Sequence, residues 1–392
     1  MGIRRILAFL LIFALLPLAA IPETKEVPSM VQLYCLNIGK ADCMLLLSGG
    51  KAYLIDTGYA HTYPALETAL EQLNIRRLHG VFLTHCHNDH EGGLEQLFQS
   101  DIEIDALYAA AIYYDVKENK HPAVKAAKER GMQVTFLRQG DVVRPDEETA
   151  FTVLGPVRVN EDNENNNSLV MHFTSPHGSI LFTGDMKEEE EYDLLSRNLL
   201  SQADVLKCGH HGDSGATSAA LLQKVKPKVA LMLTNTFQEK DTPAPSTLAR
   251  LAAVNCKTYV SQDAQDAIYV SLQNGSVTVS DMAWPGIPKR ITALSASISL
   301  SDDTLTLKNQ GTETVTLSGC TLYSSKGEDL FPLPDMTLAP GDKCIIGGKN
   351  AEGNIHIKLD KKKIWHQEKR DIAILYDAYG RILTQTDNGF AE

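Results

Sequence analysis

Three histidines and an aspartate fall within six positions of the segment THCHNDHEGG, Thr84 to Gly93. Imidazole and carboxylate together form the donor set of a divalent borderline metal such as zinc, manganese or iron. With 12 histidines in the chain, chance assembles His-x-His-x-Asp-His on the order of once in a few thousand such sequences, so a merely polar loop is the weaker reading. The same chemistry recurs singly elsewhere. Asp56 in YLIDTG, Asp185 in ILFTGD, and His210 and His211 in DVLKCGHHGDS each follow an apolar run. Alone, an aspartate before Thr-Gly is an ordinary turn former. Together, all at the ends of candidate strands, these groups argue for one shared cleft. A dinuclear centre needs a bridging anion and ligands from separate parts of the chain, and these segments supply them.

The elements that must carry these groups alternate between two periodicities. VQLYCLNIG, ADCMLLLSGGKAYLIDTG and LHGVFLT read as strands, the second a hairpin around Ser48-Gly49-Gly50, and YPALETALEQLN and GGLEQLFQS have helical spacing. Gly92 and Gly93 allow the helix after the histidines to approach closely. MQVTFL, AFTVLGP and the hairpin SLVMHFTSPHGSILFTGD follow as strands, and EEEEYDLLSRNL, SAALLQKV and STLARLAAVN as helices. Strands with interposed helices up to Ala283 predict a layered α/β domain. From Ile291 the chain becomes period-2 runs split by Gly turns, which predicts an all-β sandwich of roughly 100 residues.

The ordered set LIDTG, THCHNDHEGG, LFTGD and HHG resembles the metallo-β-lactamase-fold hydrolases over residues 28–283. Carried over residue by residue, the resemblance implies an αββα sandwich with two divalent metal ions, zinc or manganese. His85 and His87 would hold the first, Asp89, His90 and His210 the second, with Asp185 bridging. Asp56 would orient the cluster from behind. The resemblance does not choose firmly between His210 and His211; His210 is favoured as ligand, leaving His211 to contact substrate or protonate the leaving group, and Asp89 and Asp56 are counted with it as catalytic. Asp213 and Ser214 are candidates for the entrance. There is a departure: family members commonly have another histidine eighteen to twenty residues before the bridging aspartate, and here NENNNSLVM places Asn167 and Ser168 there. His172 and His177 lie nearer, but read as an exposed strand residue and a turn residue. NNNSLV, LFTGD and LKCGHHGDS resemble the hydrolase domain of ComEC-type DNA-uptake (competence) proteins. Residues 291–392, with LTLKNQGTETVTLSGCTLYS, LAPGDKCII and IWHQEKRDIAILYDAYGRIL, resemble the lamin tail domain, an immunoglobulin-like sandwich with an expected role in attachment or substrate contact.

At 392 residues the chain predicts two or three units, and 43% apolar with 22% charged residues is the composition of a folded protein. Arg4 and Arg5, an apolar run from Ile6 to Leu16, and Ala19-Ala20 predict a secretory signal over residues 1–20, an uncleaved anchor being the alternative. No later stretch is long and apolar enough to span a bilayer, so a secreted or cell-surface location is expected. Seven scattered cysteines without a C-x-x-C pair predict buried thiols, with Cys320–Cys344 the one conceivable bridge. From Gly286 onward 13 Lys or Arg face 14 Asp or Glu, so the first part carries 24 against 35 and nearly all of the net charge of -12. That surface would repel a polyanion at long range, although bound metal reverses the local sign. The basic cluster Lys358, Lys361, Lys362, Lys363, Lys369 and Arg370 could touch phosphates, a solvated strand edge being its more ordinary account.

The expected activity is that of an exported metal-dependent phosphodiesterase or nuclease on DNA or another phosphodiester polymer, with a cell-envelope component as partner of the C-terminal part. Hydrolysis of a lactam, lactone or thioester on the same metals is the enzymatic alternative. A surface-attachment protein with a residual metal site is the non-enzymatic one.

Overall fold

Two sheets lie face to face because their strands alternate between two cores. A computed structural model describes residues 30–111, 122–347, 355–359, 361 and 363–390; the expected signal segment and Lys362 lie outside them. The first sheet has the order Ser276–Met282, Ala267–Gln273, Val31–Leu36, Cys43–Ser48, Lys51–Thr57, Gly80–Leu83, Leu107–Ala110, Val134–Leu137. The second runs Lys257–Val260, Val229–Met232, Val205–Lys207, Gly178–Phe182, Val170–Ser175, Ala150–Gly155, Val142–Val143. In the second sheet Ile180, Phe182, Val205, Val229 and Leu231 enter the core shared with the first sheet, where Phe82 and Phe151 sit 4.7 Å apart between ring centres. Their chain neighbours Leu181, Leu206, Ala230 and Met232 point the other way, onto Leu194, Leu222 and Leu251 of the helices Glu188–Ser196, Ala219–Val225 and Pro245–Ala253. Successive residues of a strand face opposite sides, so one strand serves both layers. Leu66, Leu70, Leu94 and Leu97 of Tyr63–Gln72 and Leu94–Gln99 cover the first sheet. The arrangement is the expected αββα sandwich.

Parallel pairing decides where the chemistry collects. Lys51–Thr57, Gly80–Leu83 and Leu107–Ala110 run parallel in one sheet, and Gly178–Phe182, Val205–Lys207 and Val229–Met232 in the other. Parallel strands end on the same edge, so the loops that follow them meet there, in the crevice where open α/β sheets bind ligands.

The C-terminal region is strand-rich. The sheet Leu294–Ser299, Thr304–Asn309, Lys343–Gly347, Ile355–Ile357 and the sheet Asp329–Pro332, Thr321–Ser324, Ile372–Tyr376, Ile382–Asp387 bury one core containing Leu305, Leu322, Leu375 and Trp365. This is compatible with a β-sandwich. All seven cysteines are free, so no bridge joins Cys320 to Cys344. Their native partners are apolar neighbours in the same core.

Candidate metal centre

His85 to His90 leave the sheet just past Leu83, so the two alternate histidines are placed by a loop rather than by strand pleat. His85 is buried and its Nε2 lies 3.0 Å from Nδ1 of the exposed His87. His87 precedes a single helical turn, Asn88–Glu91, which carries Asp89 and His90 back into the protein. Gly93 is required behind that turn, because a Cβ there would stand 2.6 Å from the Thr57 carbonyl oxygen. The Thr57 hydroxyl donates to the His90 carbonyl and accepts the Gly93 amide, each at 3.1 Å, pinning the turn to the end of Lys51–Thr57.

Asp56 stands behind the cluster. Its carboxylate accepts the Thr84 amide at 2.7 Å and the Thr84 hydroxyl at 2.8 Å, and lies 2.8 Å from His90 Nδ1. With Nδ1 so engaged, His90 turns Nε2 to Asp185 Oδ2 at 3.2 Å, the usual device for fixing a ligating imidazole. His211 Nε2 lies 3.3 Å from both Asp89 Oδ2 and Asp185 Oδ2, and its Nδ1 is 2.7 Å from the Leu233 carbonyl oxygen. One donor atom from each of Asp89, His90, Asp185 and His211 lies within 4.8 Å of the others. His85 Nε2 adds a nitrogen 3.9 Å from Asp185 Oδ2. His210, the favoured candidate from sequence, lies like His85 outside that group of four: its Nε2 is 3.9 Å from Asp185 Oδ2 and its Nδ1 3.7 Å from Asp213 Oδ2, but unlike His85 it is partly exposed. Asp213 in turn pairs with Lys187 at 3.2 Å.

These residues fit divalent metal. Asp185 Oδ2, His90 Nε2 and His211 Nε2 are buried and make no hydrogen bond, though they converge. Buried polar atoms are ordinarily satisfied, so such a group of orphans points to a cation between them. The charge balance agrees. Burial pushes the Asp185 and Asp89 carboxyls up, but facing His211, His90 and a lysine hold both well below the ordinary carboxylate range. Burial resists protonation of His211, yet Asp185 draws it up to about 9. Carboxylates that draw protons onto His90 and His211 in this way favour positive charge, and metal ions would supply it without them.

Asn167 and Ser168 occupy the place of the missing histidine as structural groups. The Ser168 hydroxyl accepts the Asp185 amide at 2.9 Å, and Asn167 holds the preceding loop through Asn160 and Glu164. Neither donates to the cluster. His172 faces Ser201 at 3.1 Å and His177 lies at the Ser175–Gly178 turn, so both stay outside it.

Three participants escaped the sequence reading. Asp42 is fully buried, with Oδ1 3.3 Å from His211 Nδ1. Lys207, also fully buried, places Nζ 2.5 Å from Asp42, 3.4 Å from Asp185 and 2.8 Å from the Gly184 carbonyl oxygen. Lys40 Nζ reaches Asp89 Oδ2 at 2.7 Å from the rim. A lysine closing the apolar strand Val205–Lys207, and an aspartate opening Cys43–Ser48, were the available signals, since charges in such settings are seldom buried unpaired.

Residues 36–235, about half of the chain, match the family model described as Metallo-beta-lactamase superfamily. ComE operon protein 3 of Bacillus subtilis is 28% identical over 215 residues, covering 50% of this chain and 27% of that protein. Competence protein ComA of Neisseria gonorrhoeae is 26% identical over 262 residues, covering 66% and 34%. The chain thus spans only about a third or less of these relatives' lengths. Atrochrysone carboxyl ACP thioesterase AgnL7 of Paecilomyces divaricatus is 27% identical over 176 residues, covering 43% and 48%. Among solved structures, Igni18, a metallo hydrolase from Ignicoccus hospitalis, is similar with a TM-score of 0.42 at 14% identity, covering 65% of this chain and 100% of that one.

Proposed function

Because the chain belongs to the metallo-beta-lactamase superfamily, we propose that it is an exported metal-dependent phosphodiesterase acting on DNA or another phosphodiester polymer of the cell envelope. The observation that carries the reading is Ser168. Where a third histidine would face His85 and His87, Ser168 instead takes the Asp185 amide. Fewer protein donors leave more positions for substrate oxygens and water, which suits the two non-bridging oxygens of a phosphodiester. The relatives named for competence support the same subgroup.

His211, His90, Asp89 and Asp185 would hold one metal, with His85, His87 and Asp185 holding the other. Metal ions there would activate water for in-line attack and neutralise charge developing at phosphorus. Asp56, 2.8 Å from His90 Nδ1, would hold His90 in the tautomer that presents Nε2 to the metal. Lys207 and Lys40 offset the charge of Asp42, Asp185 and Asp89. His210, at the mouth and 3.7 Å from Asp213, would contact the departing oxygen. The relative named as a thioesterase favours a second reading, attack at a carbonyl by the same water.

The protein, loaded with manganese or zinc, is to be tested on single- and double-stranded DNA, bis(p-nitrophenyl) phosphate, a thioester and nitrocefin beside His87→Ala. DNA and small-diester cleavage that is lost in the variant is expected. Thioester or nitrocefin turnover without diester cleavage would overturn the proposal in favour of carbonyl chemistry; metal binding with no turnover would favour an attachment role. Among the described residues no helix is long and apolar enough to cross a membrane.

A further inference from the structure

A cavity of about 360 Å³ opens beside the metal centre, and its far wall belongs to the C-terminal sheets: Lys40 and Gln238 line one side, Tyr323, Lys326 and Arg370 the other. Lys40 connects it to the centre through Asp89. Lys326 also lines a second cavity, of about 420 Å³, together with Lys361, Lys363 and His366. The two spaces share Lys326 as a wall, so lysines from both face one side of the C-terminal region.

The wall is fixed in place. Arg370 donates to the Phe237 carbonyl at 2.5 Å and the Gln238 carbonyl at 3.2 Å, and Gln385 donates to Asn235 at 3.0 Å. Gln238 in turn accepts the Lys40 amide at 2.8 Å, packed so closely that a Cβ on Gly39 would stand 2.5 Å from its Oε1. The His61 ring stacks on Tyr323 at 3.8 Å. A continuous chain of contacts therefore runs from the C-terminal sheets to the carboxylate of Asp89, and the geometry is that of one cleft with two contributors.

Resting on the phosphodiesterase reading, we propose that the C-terminal region completes the substrate cleft with a cationic track, Lys326 followed by Lys361 and Lys363, that takes the phosphates flanking the scissile one in a single strand passing Lys40. Among the described residues Lys326 and Lys363 enter no ion pair, whereas Lys361 is matched by Asp329. Glu239 and Glu328 also line the first cavity, so the attraction is a row of point contacts rather than a broad field. Such contacts act within a Debye length of about 8 Å at physiological salt, which is how a chain of net charge -12 holds a polyanion at one place.

The test uses the whole chain with manganese, a fluorescent oligothymidine for binding by anisotropy, and bis(p-nitrophenyl) phosphate, which has no flanking phosphate. Lys326→Glu/Lys363→Glu is compared with Lys326→Arg/Lys363→Arg and with Lys343→Glu, a charge change on the exposed start of Lys343–Gly347. The double glutamate variant is expected to weaken oligothymidine binding about tenfold and to flatten the logarithmic salt dependence by roughly 0.7 per lost contact, with small-diester hydrolysis unchanged and the arginine pair close to wild type. Affinity equal to that of Lys343→Glu would overturn the track, as would a parallel loss of small-diester hydrolysis or failure of the wild type to bind. Lysine-dependent binding without diester hydrolysis by the wild type would sink the phosphodiesterase reading and leave the track standing.

Discussion

His210 and His211 are neighbours with left-handed backbones, φ 43° and 56°, and so leave their turn in different directions. Asp56 is left-handed as well, at φ 56°. Such conformations cost non-glycine residues on the order of 1–3 kcal/mol each and persist where the surroundings demand them. Here they point His211 inward and leave His210 at the rim. Loss of His211 should therefore act through the metal and loss of His210 through the substrate. His211→Ala is expected to lower bound metal, measured by elemental analysis at equal free metal, with affinity reduced at least about tenfold. His210→Ala should keep its metal and lose about a hundredfold in kcat. Equal metal loss in the two variants would refute this division. At the same scale, His85, His87, Asp89 and His90 stand out as candidates because their types and spacing are rare in combination, and Asp185 because it follows an apolar strand. Asp42 and Lys207 were not, since one aspartate or one lysine carries no pattern until the fold brings both against the same histidine and carboxylate.

The helix Glu188–Ser196 opens with four glutamates, a favourable place for negative charge beside unpaired helix amides. Two of them do more than this. Glu191 accepts the Thr217 and Ser218 amides, bracing the segment that follows His210 and His211. Glu190 accepts the Val157 amide at 2.9 Å in a buried position that pushes its carboxyl from 4.5 up to about 8. A folded carboxyl raised above its unfolded value binds the extra proton in the native state. Its contribution is full below pH 4.5 and is lost as the pH rises through about 8. Glu190→Gln should consequently show a thermal midpoint that declines less than that of the wild type between pH 5 and pH 8, by calorimetry on metal-free protein. An identical decline in both would place the dependence elsewhere. The helix itself was legible in the sequence; which of its glutamates turn inward was not, because four consecutive acids leave the periodicity blank.

On the scale of the whole molecule, the candidate ligands come from both sheets: His85, Asp89 and His90 follow Gly80–Leu83 of the first, Asp185 and His211 follow Gly178–Phe182 and Val205–Lys207 of the second. A metal held by them would clamp the two layers together. A ligand that binds only the folded state adds stability by mass action, about 2.7 kcal/mol at a hundredfold excess over its Kd. Manganese or zinc added to chelator-treated protein should raise the thermal midpoint by several degrees, and this rise should vanish in Asp185→Asn. An unchanged midpoint in wild type would mean that the layers are not joined by metal.

The amino-acid sequence by itself determined the layered α/β architecture, the strand-rich character of the C-terminal region, and which residue types gather at the strand ends. Periodicity and rare donor spacing are local properties, and local properties can be read along a chain. The tertiary structure alone decided that His211 lies buried against both Asp89 and Asp185 while His210 stays partly exposed, that Lys207 lies buried among carboxylates, and that Arg370 reaches across to Phe237 and Gln238. Each of these is a contact between segments far apart in the chain, or a backbone turn whose direction neighbouring layers impose, and no spacing within a single segment encodes it.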